Sequence, residues 1–421
     1  MAKPTLALIP SAIGDKLYSV LPSDGGGDFD LTRATTATRV NSQGLIETVA
    51  SGDVRLDYPL VNGVVSGCPH HLIEPSRTNY VPYSSDFINS AWSKLSAGTG
   101  STPIVTPNYS ISPSGELDAT RIQFDKGTGT GMTNYSFLAE FLTVTSGMDA
   151  SKSIYLKSNT DSEYDLVLYG TSDASGTNVK KIRVTSEWQR FDVFKTITST
   201  STGVAFGLRE ISVSGLSNTA DILAWGAQVE NGLQPTSYIP TNESTVTRDA
   251  DVGVPFNTGI KTGDISSYVN GSNGVFYFEG SFADFNVVNR ISLSNSTGGF
   301  GGDYISISTN DSGSTEEDRK TKIIVFYKIE TPSSIGTEDV TVNDARDNFK
   351  MAISWDGATM KGYINGVEFF SNSETAFGGF DRIYFSRADN NIAGVFHGKQ
   401  KDLRVYDTAL TDAELVTLTT L

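Results

Sequence analysis

The sequence is poor in the residues that much enzyme chemistry needs. One cysteine, Cys68, stands among 421 residues. That excludes an intrachain disulfide and every multi-cysteine zinc site. A lone thiol of this kind is expected as a small, buried apolar side chain. Histidine is equally scarce, at three. His70 and His71 are adjacent, so a strand turns them to opposite faces. With His397 far off, they lack the spacing of a zinc triad. No apolar run reaches about 18 residues, so no membrane insertion is expected. Met1 to Leu21 has no long apolar core after Lys3, so no signal peptide is expected either. Basic residues are outnumbered, 32 against 48 acidic ones, for a net charge of −16. A nucleic-acid partner, which needs a basic footprint, is therefore not expected. The motifs G-x-S-x-G, H-E-x-x-H and the P-loop are absent.

What is present points to sheet. Gly is abundant at 41 residues, and apolar residues make up 38%. That is the make-up of many short strands, each wet on one face and joined by tight turns. The length calls for two or three domains. Strand-like runs fall at Thr120 to Phe124, Asn134 to Val144, Ser153 to Lys157, Tyr164 to Tyr169, Val179 to Val184, Gln189 to Thr196, Val204 to Arg209 and Asp221 to Val229. The spacing is that of a sandwich or jelly roll. The last run alternates except near Gly226. Pro235 and Pro240 then stop the ladder, and the following residues read as an ordered crossing between two bodies. Arg248, Asp249 and Asp251 are placed to pin that crossing by exposed ion pairs.

A second strand series runs from about Gly274 to Val405. Asn365-Gly366 marks a hairpin within it, and the polar stretch Asn310 to Thr321 reads as a loop. Thr411 to Glu414 forms a capping box opening a short terminal helix. Asn41 to Gly44 marks another hairpin between Val40 and Leu45. The fold class expected is all-β: two antiparallel β-sandwiches preceded by an extended arm. The boundaries are 1–55 for the arm, 56–245 for the central jelly roll and 246–421 for the last sandwich. The arm has too little apolar content for a core of its own, so it either lies along the body or docks on a partner.

Several ordered pieces carry a resemblance. They are "RATTATRVNSQGLIE", "LDYP", "LIEPSRTNYVPYSSDFINSAWSK" and "AWGAQVENGLQPTSYIPTNESTVTRDAD", between Thr32 and Asp251. Together they resemble a module of tailed-bacteriophage virion proteins, tail-fibre-like or minor structural, whose central domain resembles a carbohydrate-binding jelly roll. "FKMAISWDGATMKGYINGVEFF" and "GKQKDLRVYDTALTDAELVTL" resemble a laminin-G or concanavalin-A-like domain. There, a strand with Asp402 and Tyr406 leads into a helix with Thr411, Glu414 and Leu415. The resemblance implies a virion-surface protein made in the host cytoplasm. It would dock on other virion proteins through the arm, assemble as a homo-oligomer, with a trimer favoured, and meet bacterial surface polysaccharide. The alternative it allows is a capsid decoration or head-fibre protein. No cofactor is expected, although calcium is common in both resembled families.

No catalysis is expected. A glycosidase needs two fixed carboxylates across a sugar site. Glu279 and Asp284 fall on opposite faces, and Glu316, Glu317 and Asp318 sit in a loop. Asp161, Glu163 and Asp165 share one side of a strand start with no evident orienting partner. Sugar binding asks less: an aromatic face and a few polar groups. The ligand-binding candidates are Trp92, Tyr169, Trp188 and Tyr363, with Trp92 expected to be the most exposed. Trp225 and Trp355 read as core residues.

Overall fold

The computed structural model describes residues 1–170, 179–253, 262–283, 288–295, 302–309, 320–329, 333–374, 376–386 and 394–421. The architecture is all-β, with antiparallel sheets paired into two sandwiches and a terminal helix, Asp412–Thr419. The stretch 310–319, with Glu316 to Asp318, and Asp284 lie outside the described residues.

The central sandwich faces two five-stranded sheets against each other. One runs in the order 92–97, 135–143, 201–209, 164–169, 179–184. The other runs 101–110, 119–125, 219–231, 149–158, 189–196. Phe124 of one meets Phe206 of the other edge-on at 5.9 Å. Around them Trp92, Leu138, Ile154, Leu156, Leu168 and Ile222 complete a dry core. Two of these strands were not expected from sequence, Trp92–Ala97 and Ser101–Ser110. Pro103 and Pro107 mask the second; proline is tolerated because the strand lies at a sheet edge.

The second sandwich is built from both ends of the chain. Its large sheet orders strands 367–373, 359–364, 349–355, 274–282, 398–406, 70–73 and 56–57. Leu6–Leu8 also pairs with Gly398–Tyr406, Leu6 opposite Val405 and Leu8 opposite Leu403. Opposite it lies a five-stranded sheet containing Arg290–Ser294 and Lys322–Ile329. Leu6, Leu8, Leu17, Phe29, Leu31 and Val54 are buried in this core beside Phe276, Phe278 and Leu403. Residues 1–55 therefore form no free-standing arm. Their few apolar side chains cannot close a core alone and are buried in the neighbouring one. The central sandwich is inserted into a body that begins before it and ends after it, so the expected limits 1–55, 56–245 and 246–421 do not coincide with these layers.

Local signals map onto these layers directly. Asn365 and Gly366 both take positive φ, 48° and 83°, in the turn between Thr359–Ile364 and Val367–Ser373. The Thr411 hydroxyl accepts from the Glu414 N–H while Glu414 accepts from the Thr411 N–H at 3.0 Å. The helix so capped seats Leu415 and Leu418 on Val275, Tyr277 and Tyr363, the outer face of the large sheet.

Candidate functional site

The strand Thr219–Asn231 ends at the seam between the sandwiches, and the chain then folds back along it. Gln228 accepts from the Ile239 N–H at 2.6 Å, and Glu230 accepts from the Thr236 N–H at 2.7 Å. Tyr238 and Ile239 are only 4% and 3% exposed. The crossing is thus fixed, as its sequence led us to expect, but not by exposed pairs. Arg248 lies 2.8 Å from Glu74, Arg55 lies 2.6 Å from Glu74, and Arg33 lies 2.8 Å from Asp251. Arg55 also pairs with Asp251. All five side chains are buried. Burial pushes the Asp251 carboxyl up, but Arg55, Arg33 and Arg248 outweigh it and hold it below the usual range. Glu74 behaves alike, with burial opposed by Arg248 and Arg55 and the net direction downward.

This frame bounds a cleft of about 280 Å³ lined from three directions. The hairpin 37–49 supplies Thr38, Arg39 and Ile46, and the central sandwich supplies Tyr155, Arg190 and the segment from Gln234 to Tyr238. The second sandwich supplies Ser281, Phe282, Arg346 and Lys399, and Asp57 completes the wall. Tyr155 and Arg190 are cross-strand partners. The guanidinium lies 5.3 Å from the Tyr155 ring centre, donates to Thr236 O at 2.6 Å and donates to Ser153 Oγ at 2.9 Å. Behind Tyr155, Trp225 packs edge-on at 5.6 Å and against Tyr238 at 4.4 Å. Gln234 donates to Ala283 O and so ties one sandwich to the other.

Asp57 accepts from the Val40 N–H and from His70 Nε2, each at 2.8 Å. Burial raises its pKa, but His70 and Lys399 outweigh that and keep it ionised. Burial, with Lys399 nearby, holds the His70 ring below the usual imidazole value. Arg39 is paired with Glu47 at 2.8 Å. The cleft therefore offers cationic, amide and hydroxyl groups beside an aromatic ring, an arrangement suited to holding a polar ligand.

The four aromatic candidates are not brought together. Trp92 is 2% exposed, donates to Tyr83 O at 3.0 Å and packs on Phe87; the expectation of exposure fails because its ring fills the sandwich core. Tyr169 is buried against Phe137 at 5.7 Å, on the opposite face of that sheet. Tyr363 is sealed beneath the terminal helix and donates to Glu368 at 2.5 Å. Trp188 is half-buried at the seam and donates to Ile111 O at 3.3 Å. Cys68 is exposed rather than buried, because it lies between short strands and outside either core.

Of the acidic triplet, Asp165 is held by Arg183 at 3.0 Å and by Lys181 at 3.2 Å, and Glu163 pairs with Arg183 at 3.3 Å. The orienting partners thus come from the next strand, where Arg183 stands opposite Asp165. A carboxylate pair unseen in the sequence is Glu279 and Asp402, directly opposite on adjacent strands. Each is engaged, Glu279 by Lys401 at 2.7 Å and Asp402 by Arg404 at 2.5 Å. Among the described residues no group of three His, Cys, Asp or Glu side chains is disposed to hold a metal ion.

Sequence reasoning did not single out Tyr155, Arg190, Gln234 or Lys399. Arg190 lies in a strand that the alternation marked, but its meeting with Tyr155 depends on strand order, which alternation does not encode.

No known protein family matches the sequence, and no curated protein does. Among solved structures, the chain is similar to the Ruminococcus gnavus IT-sialidase CBM40 bound to α2,3-sialyllactose, at 16% identity and a TM-score of 0.31, covering 36% of this chain and 84% of that one. It is similar to domain 4 of AbnA, a GH43 extracellular arabinanase from Geobacillus stearothermophilus, in complex with arabinotriose, at 18% identity and a TM-score of 0.30, covering 41% and 77%. It is also similar to an SAP-like pentraxin from Limulus polyphemus, at 15% identity and a TM-score of 0.28, covering 35% and 69%.

Proposed function

We propose that this chain is a non-enzymatic structural and adhesive component of a tailed-phage particle that holds host-surface glycan in the cleft at its seam. The observation that carries the binding half is the cleft itself. Its walls come from two sandwiches and a hairpin, fixed by buried ion pairs, with Tyr155 and a set of hydrogen-bonding groups facing in. A site whose walls are already fixed loses little entropy when a sugar is ordered in it. The phage half rests on the resemblance of Thr32 to Asp251. Docking on other virion proteins would use the exposed apolar side chains Ile9, Ile13, Tyr18 and Val20 on the N-terminal turns rather than a loose arm. Assembly is proposed as a homotrimer, which sedimentation equilibrium checks.

The test has two arms. Antibody-labelled electron microscopy of the source particle is expected to place label at the tail tip. A glycan array, run with and without chelator, is expected to return a bound sugar whose signal falls in a Tyr155→Ala variant. Label over the head, with an empty array, would replace this reading by capsid decoration.

A further inference from the structure

We propose that the ligand of the seam cleft is an acidic sugar, whose carboxylate is held by Arg190 and Lys399. This rests on the glycan reading above and adds the class of sugar.

The argument starts from charge pairing. Arg33, Arg55 and Arg248 at the seam each meet a carboxylate. Elsewhere Arg121 pairs with Asp221, Arg183 with Asp165 and Arg404 with Asp402. Acidic residues outnumber basic ones, so such pairing is easy to satisfy. Arg190 departs from it. It donates to two neutral groups, Thr236 O and Ser153 Oγ, and no acidic side chain pairs with it among the described residues. Its Nε–H is buried with no hydrogen-bond partner. A guanidinium has donors to spare after two bonds, and its planar fork fits a carboxylate in a two-point contact.

Lys399 supplies a second cation in the same cleft. Its side chain is 47% exposed and lies 3.8 Å from Asp57. The Asp57 oxygens are already engaged by Val40 N–H and His70, so the ammonium keeps donors for a ligand. Stacking on Tyr155 and the bond to Thr236 O hold Arg190 in place before any ligand arrives. The choice of a sugar acid over a polyphosphate follows from the whole molecule. A net charge of −16 repels a dense polyanion. A single carboxylate on a polyhydroxylated ring needs only a local cation, and Gln234 and Ser281 flank it with hydrogen-bonding groups.

The experiment is calorimetric titration of the full chain at pH 7 with trigalacturonic acid, its methyl ester and a single-stranded oligonucleotide. The acid is expected to bind. Arg190→Gln should weaken it about tenfold or more, with Arg190→Lys retaining part of the affinity. Lys399→Gln, at a partly exposed position, should weaken it by a smaller factor without loss of fold. Circular dichroism melts of each variant separate lost binding from lost structure. Equal binding of acid and ester would overturn the charge inference and leave the glycan reading standing. No binding of either sugar would overturn both. Oligonucleotide binding with the same dependence on Arg190 would overturn the sugar class.

Discussion

Arg33 and Asp251 stand 218 residues apart in the chain, yet their side chains meet at 2.8 Å. Neither is open to solvent. The pair joins the N-terminal segment to the residues that leave the central sandwich, and Arg55 joins both through Asp251 and Glu74. Breaking a buried pair leaves an uncompensated charge and costs about 3–5 kcal/mol. Asp251→Ala is expected to lower stability by that order in urea denaturation, and to expose residues 33–55 to limited proteolysis. The contrast is Lys361–Asp412, at 2.6 Å but open to water. Asp412→Ala should cost under about 1 kcal/mol. Equal effects of the two substitutions would remove the seam network from its structural role.

Acid should loosen the same seam. Asp251 and Glu74 both have folded-state pKa values below their ordinary ones. A depressed carboxylate contributes stability that is present above its unfolded pKa and is lost as pH falls through the folded value. Stability is therefore expected to fall steadily once pH drops below about 4.5, the unfolded range of these acids. Denaturation midpoints between pH 5 and pH 2 measure it. Asp251→Asn should flatten the curve there, and an unchanged slope would refute the assignment.

Glu140 has the opposite sign. It lies on the inner face of the central sandwich, opposite Trp92 and Val204, and is 2% exposed. Its Oε2 has no hydrogen-bond partner. Burial pushes its carboxyl up from 4.5 to about 7. The folded protein then holds a proton that the unfolded chain has already released, so the contribution of Glu140 to stability declines as pH rises from about 4.5 towards 7. The decline is on the order of 1–3 kcal/mol. Glu140→Gln is expected to remove this contribution, so that the stability difference between wild type and variant changes from pH 5 to pH 8, read from urea midpoints at pH 5, 6, 7 and 8. A difference in stability between wild type and Glu140→Gln that stays the same at pH 5 and pH 8 would contradict it.

Local chemistry explains what the sequence displayed and what it hid. Alternation located Tyr164–Tyr169, Val179–Val184 and Gln189–Thr196 at the observed limits. The capping box of Thr411 and the Asn365-Gly366 turn were legible because their bonds close within a few residues. The insertion of one sandwich into another was not. Leu6 finds Val405 across nearly the whole chain, and no local pattern encodes that partner. The cleft was hidden for the same reason, since Arg190, Gln234 and Lys399 come together only through tertiary pairing. Aromatic type alone does not mark a binding face, because Trp92 and Tyr363 are large apolar bodies that a core takes up as readily as a ligand does.

Gly226 supplies the last test, and it links fold to cleft. Alternation faltered here in the sequence, and the structure shows why. Val229 pairs with Lys152 and Gln228 with Ser153, but the next pair is Trp225 with Tyr155. An extra residue is thus accommodated as a bulge, with Gly226 at φ 63°. A Cβ on Gly226 would approach Tyr155 at 3.2 Å and Tyr238 at 3.3 Å. Substitution therefore meets both backbone strain and two packed rings. Gly226→Ala is expected to cost about 1–2 kcal/mol, and Gly226→Val more, because a branched side chain tolerates this φ poorly. Since the displaced ring is the one on which Arg190 stacks, sugar affinity should fall with stability. Thermal melts and titrations of the two variants measure both. A Gly226→Val protein with unchanged melting and unchanged binding would show that the bulge neither strains the strand nor positions Tyr155.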